Sequence, residues 1–168
     1  MTFWKQNNVK ATRQFRFKLS IDGEDYWWAK STELPSATVN SQEYLLGNHK
    51  FKYPGVLTWN PIQVEIADIG ESNNSSDLKL INIFNTKGYG MIEGTAGPNK
   101  TPAGIDKIQF NEVRIELIKP NGSMQRQWVL KDAFFTEINF GRGDYNSEEI
   151  NSITFTINYD YAEYSNGG

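Results

Sequence analysis

The sequence predicts a mainly β domain carrying one helix. Two observations lead there: apolar residues alternate with polar ones over most of the chain, and Asp-Gly, Asn-Gly and Gly-Asn pairs punctuate the alternating runs. A third, the change of period between residues 77 and 85, marks the helix.

Residues Gln14 to Ile21 place Phe15, Phe17, Leu19 and Ile21 on one face and Arg16, Lys18 and Ser20 on the other, the pattern of a half-buried strand. Asp22-Gly23 follows as a hairpin turn, because both residues tolerate positive φ. The return strand is expected over Tyr26 to Glu33, ending at Pro35. Val39 to Leu46 and Lys50 to Tyr53 read as two strands around Gly47-Asn48, with Pro54-Gly55 as a second turn. Ile62, Val64 and Ile66 mark the next strand.

The polar cluster Ser72 to Ser76 offers N-cap residues to an amphipathic helix from Asp77 to Asn85. Its stripe is Leu78, Ile81 and Phe84, widened by Leu80 and Ile83, and Gly88 is the expected stop. Gly88 to Lys107 is rich in Gly, Pro and Thr and is expected to be a long flexible loop. Strands resume at Ile108, with Val113, Ile115 and Leu117 facing one way, up to the Asn121-Gly122 hairpin. Arg126 to Leu130 is followed by Phe134, Thr136, Ile138 and Phe140, expected on one face. Gly141 to Asn146 is a polar loop. A final strand is expected to run unbroken through Ile153, Phe155, Ile157, Tyr159 and Tyr161. No repeat or linker divides the 168 residues, so a single domain is expected over 1–168.

Composition narrows function. Hydrophobic residues make up 38% and aromatics 14%, so either the core is small and ring-rich or apolar surface is covered on assembly. A net charge of −3 argues against phosphate-driven nucleic-acid binding, and without cysteine there are neither disulfides nor thiolate metal sites. The first ten residues contain no apolar signal core and no run spans a membrane, so a soluble, intracellularly made product is expected.

Catalysis lacks its usual parts. The single histidine, His49, falls in a turn with no base or metal partner in the pattern. Asp22, Glu24 and Asp25 lack the ligand spacing of a calcium loop. Gly88, Gly90 and Gly94 have the wrong spacing for a phosphate loop and follow a helix. Arg142-Gly143-Asp144 reads as a tight turn, and the glycosylation triplets at Asn73, Asn74, Asn99 and Asn121 are expected to be unused. Arg13, Arg16, Lys18, Lys50 and Lys52 interleave with Phe15, Phe17, Phe51 and Tyr53, which reads as a solvated charged face over an aromatic core better than as a nucleic-acid platform. No enzyme and no cofactor are expected.

The stretches FRFKLSIDG (15–23), WWAKSTELPSATVNSQEYLLGNHKFKYPGVLTWNPIQVEIAD (27–68) and WVLKDAFFTEINFGRGDYNSEEINSITFTINYDYAEY (128–164) resemble tail tube proteins of contractile bacteriophages of the T4-like group, related to the tubes of type VI secretion. The resemblance implies two antiparallel sheets packed as a small barrel-like sandwich with a flanking helix. Six copies would close a larger β-barrel, and stacked rings would form the tube that conducts DNA. It implies sheath, tape-measure and baseplate proteins as partners, DNA passing the lumen without specific binding, no membrane, and a place in the virion tail after assembly in the host cytoplasm. The hairpin at about 39–55 corresponds to an extended loop that reaches a neighbour, which makes Tyr44, Leu45, Leu46, Phe51 and Tyr53 inter-subunit residues. Trp59 and Trp128 fall to the core. A tube-initiating baseplate protein of the same fold is the near alternative, and a ligand-binding β-sandwich the one from another class.

Overall fold

Three sheets and one helix account for the ordered elements of the computed structural model, which describes residues 16–26, 29–70, 75–87 and 109–167. The first sheet contains β1 (Phe17–Ile21), β2 (Glu24–Asp25), β7 (Val113–Ile118), β8 (Met124–Lys131) and β11 (Tyr161–Asn166), in the order β11-β8-β7-β1-β2. The second contains β3 (Ala29–Thr32), β6 (Ile62–Ala67), β9 (Phe134–Asn139) and β10 (Ser152–Asn158), in the order β3-β6-β10-β9. The third is the pair β4 (Ser36–Leu46) and β5 (His49–Asn60) alone. All the pairings are antiparallel. The Gly88–Lys107 loop lies outside the described residues.

Alternation places the core. Leu19, Ile115 and Leu130 from the five-stranded sheet face Ile62, Val64, Ile66, Ile153, Phe155 and Ile157 from the four-stranded one, all buried. Each such side chain contributes roughly 1.5–3 kcal/mol of burial. The helix α1 (Ser76–Thr86) closes one side with Leu80, Ile83 and Phe84. This stripe is rotated from the expected Leu78–Ile81–Phe84 line, because Ser76, one turn before Leu80, is itself buried. Its hydroxyl donates toward the Ala67 and Ile69 carbonyls and accepts the Ile69 N–H at 2.9 Å, tying the helix start to the end of β6. Phe135 gathers the rings: Phe84 stacks on it at 5.0 Å, and Phe110 and Phe155 meet it edge-on. Trp59 and Trp128 are partly buried at the core's margin.

Four expectations require correction. The Asp22-Gly23 turn exists, with φ of 51° and 85°, but only Glu24–Asp25 return along β1. The chain then crosses to the other sheet, where Ala29–Thr32 pairs with β6, so Tyr26 to Glu33 is not one strand. The last run is likewise two strands. The chain bends at Tyr159-Asp160, the Asp160 N–H donates to the Lys131 carbonyl, and Tyr161 begins a strand on β8, where it is exposed. In β9 the pairing skips Thr136, because Glu137 opposes Thr156 while Phe135 opposes Ile157. The bulge moves the core contact to Phe135 and leaves Thr136 exposed. Finally, Pro54-Gly55 is no turn: it lies within the twelve-residue β5.

Candidate functional site: an exposed hairpin arm

Among the described residues β4 and β5 pair only with each other. Every residue of β4 is exposed, and so is most of β5. At about 3.3 Å per residue the eleven positions of β4 give an arm about 36 Å long. Isolated two-stranded hairpins are marginal in water. This one nevertheless carries Val39, Tyr44, Leu45, Leu46, Phe51, Tyr53, Val56 and Leu57 at 40% to 76% exposure.

The root of the arm is fastened to the body. The Glu33 carboxylate accepts the Gln63 N–H at 2.9 Å, and the Glu33 N–H donates to the Gln63 carbonyl. Trp59 packs on Tyr159 with ring centroids 6.0 Å apart. Burial pushes the Tyr159 phenol up, while the Ser36 backbone beside it pulls it down. The tip turns at Gly47, whose φ of 61° suits glycine.

Register divides the arm's faces. Near the tip Gln42, Tyr44 and Leu46 oppose Tyr53, Phe51 and His49, and so share a face. The opposite face carries Glu43, Leu45, Lys50 and Lys52, with the Glu43 carboxylate 3.6 and 3.8 Å from the two ammoniums. Four of the five expected interface residues therefore lie together, and Leu45 lies behind them. Between the Ser41–Pro54 and Val39–Leu57 pairs, β5 has one residue more than β4. At this bulge Gly55 passes so close to Asn40 that a Cβ would sit 2.5 Å from its carbonyl oxygen. Below it Val39, Leu57, Ala37 and Trp59 share the face that carries the charges at the tip. Ser36, Thr38 and Asn60 form a hydrogen-bonded polar ladder on the other face. The bulge thus sends the apolar surface of the root and that of the tip to opposite sides.

The remaining motifs resolve into local structure. His49 lies at the arm tip with its ring edge-on to Phe51 at 4.6 Å. Asp25 pairs with Lys18, and Asp22 accepts the Glu112 N–H and approaches Lys87, so these carboxylates are engaged within the fold. Arg142 and Asp144 close on one another at 2.9 Å, and the Asn146 N–H followed by Arg142 holds the Asp144 carboxyl below its usual range. The Asn121 carboxamide accepts the Ser123 N–H and hydroxyl, folding the Lys119–Ser123 turn. Arg13, Phe15, Asn73, Asn74, Asn99 and the Gly88, Gly90 and Gly94 group lie outside the described residues. Among the described residues no three His, Asp or Glu side chains are grouped to hold a metal, and no helix is long and apolar enough to cross a membrane.

The overall fold is also found among solved structures. The chain superposes on a protein of the sheath-tube complex of an extracellular contractile injection system with a TM-score of 0.71, at 16% identity over 99% of both chains. It matches a protein from the structure of the tube-terminating cap of the anti-feeding prophage at 0.70, 17% identity and 98% of both chains. The fold is that of contractile-tube proteins. The tube fold extends to Hcp1 of Flavobacterium johnsoniae, at a TM-score of 0.50 and 17% identity over 91% of this chain and 97% of that one. These matched structures are of tube components, not enzymes. No protein-family model and no curated protein matches the sequence.

Proposed function

We propose that this chain is the repeating subunit of the hollow tube of a contractile tail, six copies closing a ring and rings stacking into the tube. The arm carries the reading: eight large apolar residues stand where the chain's own body does not cover them. Tyr44, Leu45, Leu46, Phe51 and Tyr53 are interface residues on this reading. The six-residue strands β9 and β11 each end a sheet, and pairing such edges around a ring removes them.

Within that class, the resemblance of residues 27–68 and 128–164 to phage tail tubes favours a virion tail conducting DNA, with sheath, baseplate and tape-measure proteins as partners. The five-stranded sheet suits passage of a polyanion, since Lys18, Arg114 and Lys131 are matched by Asp25, Glu112 and Glu163. A second reading, a protein that begins or ends the tube, draws on the near-equal match to the cap structure.

Negative-stain microscopy of concentrated purified protein separates these. Long tubes support the repeating subunit, single rings that do not stack support an end protein, and a permanent monomer rejects both. Recovery of the protein in particles that protect DNA from nuclease supports the phage tail over a DNA-free injection device.

A further inference from the structure

The arm and the loop joining β9 to β10 leave the four-stranded sheet at opposite ends. The arm departs after Thr32 and returns at Ile62, where β6 lies beside Ile157, the far end of β10. The other loop leaves after Asn139 and returns at Ser152, beside Ala67 at the near end of β10. Residues 141–150 of this loop are all exposed, including the apolar Tyr145 and Ile150.

The charges of the two regions are opposite. On the tip, Lys50 and Lys52 face the one carboxylate of Glu43. In the loop, Arg142 is matched by Asp144, and Glu148 and Glu149 have no ion-pair partner among the described residues. We infer that the arm tip of one copy seats on the Gly141–Asn151 loop of a second copy, with Phe51 and Leu46 against Tyr145 and Ile150, and Lys50 and Lys52 toward Glu148 and Glu149. The contact is head-to-tail, and placed between copies in successive rings it repeats without closing, as an axial contact of a stack must. An arm of about 36 Å exceeds the roughly 20 Å length of the six-residue β6 to which it returns, so it can pass beyond its own subunit. This inference rests on the tube reading and assigns the arm its partner within it.

Charge exchange tests it in the full chain. Lys50→Glu with Lys52→Glu, and separately Glu148→Lys with Glu149→Lys, should each raise the concentration needed for stacking, read by sedimentation, about tenfold or more. Combining all four should return it to within about threefold of the parent. Circular dichroism confirms that each variant folds. The chain has no cysteine, so Leu46→Cys and Tyr145→Cys in separate chains, mixed and treated with a short bis-maleimide, should give a cross-linked pair containing one of each. A parent that stacks, with neither rescue nor cross-link, overturns the assigned partner and leaves the tube reading intact. A parent that never self-associates overturns the tube reading and this contact with it.

Discussion

The body and the arm use the same alternating pattern for different ends. In the body, Ile153, Phe155 and Ile157 alternate with Thr154 and Thr156, and the apolar half is buried by the same chain. In the arm, Phe51 and Tyr53 alternate with Lys50 and Lys52, and the apolar half stays in water. Periodicity reports which side chains share a face, and says nothing of whose surface covers that face. On the tube reading the contrast separates residues that stabilise the subunit from those that would join subunits, and substitutions in the two regions should fail in different ways.

The largest effect on the subunit itself is expected from Phe155→Ala. This ring is fully buried beside Phe135, and removing it should cost about 3–5 kcal/mol. Thermal denaturation measures that loss, and an unchanged midpoint would place β10 in the wrong register. Ser76→Ala should cost less, about 1–2 kcal/mol, by stranding the part-buried Ile69 N–H that its hydroxyl satisfies; a shift no larger than a surface substitution gives would mean the helix start is held by something else. Gly55→Ala sharpens the comparison at the arm's middle. The added methyl meets the Asn40 carbonyl, so the bulge must open and re-aim the tip. Assembly should fall markedly while the melting point moves little, and a variant that stacks like the parent would show that the bulge does not set the arm's direction. The smallest effect on the subunit, and the fullest on the tube, is expected from Leu46→Ser combined with Phe51→Ser. Both side chains are exposed, so folding should be unaffected within about 0.5 kcal/mol. Microscopy should show no tubes, whereas an unfolded double variant would return these residues to an intramolecular core.

Much of the body could be read from the residues because one-sided burial writes itself as alternation. Leu19, Val64, Ile115 and Ile157 are core in both readings. The failures sit where alternation continues while its meaning changes. Tyr159 and Tyr161 keep the same phase, yet the chain changes sheets between them. Phe51, Tyr53, Leu57 and Trp59 are all odd-numbered, on either side of Gly55, yet the bulge there splits them between two faces. Nothing in the local sequence separates a glycine at a turn from a glycine under a carbonyl, since both need the missing Cβ. The expectation that Tyr44, Leu45, Leu46, Phe51 and Tyr53 are interface residues rests on the resemblance of the hairpin to an extended loop. Alternation alone sets Leu45 apart from Tyr44 and Leu46, but placing Phe51 and Tyr53 with those two needs the cross-strand register, which appears only once the pairing partner is known.

The lacing of the body has a kinetic consequence. Phe17 pairs with Leu117, about 100 residues away, and Ile62 pairs with Ile157. Such pairings are slow to find, because the intervening chain must be closed before they return any free energy. The arm needs only neighbours across Gly47 and samples its hairpin in about 1–10 μs. During synthesis its greasy tip therefore precedes the body that is meant to carry it. On the tube reading, a cell making many copies at once would face nascent chains whose arm already samples an exposed apolar hairpin, and the yield of correct rings should depend on chaperone capacity and on temperature more steeply than the finished subunit's stability would suggest.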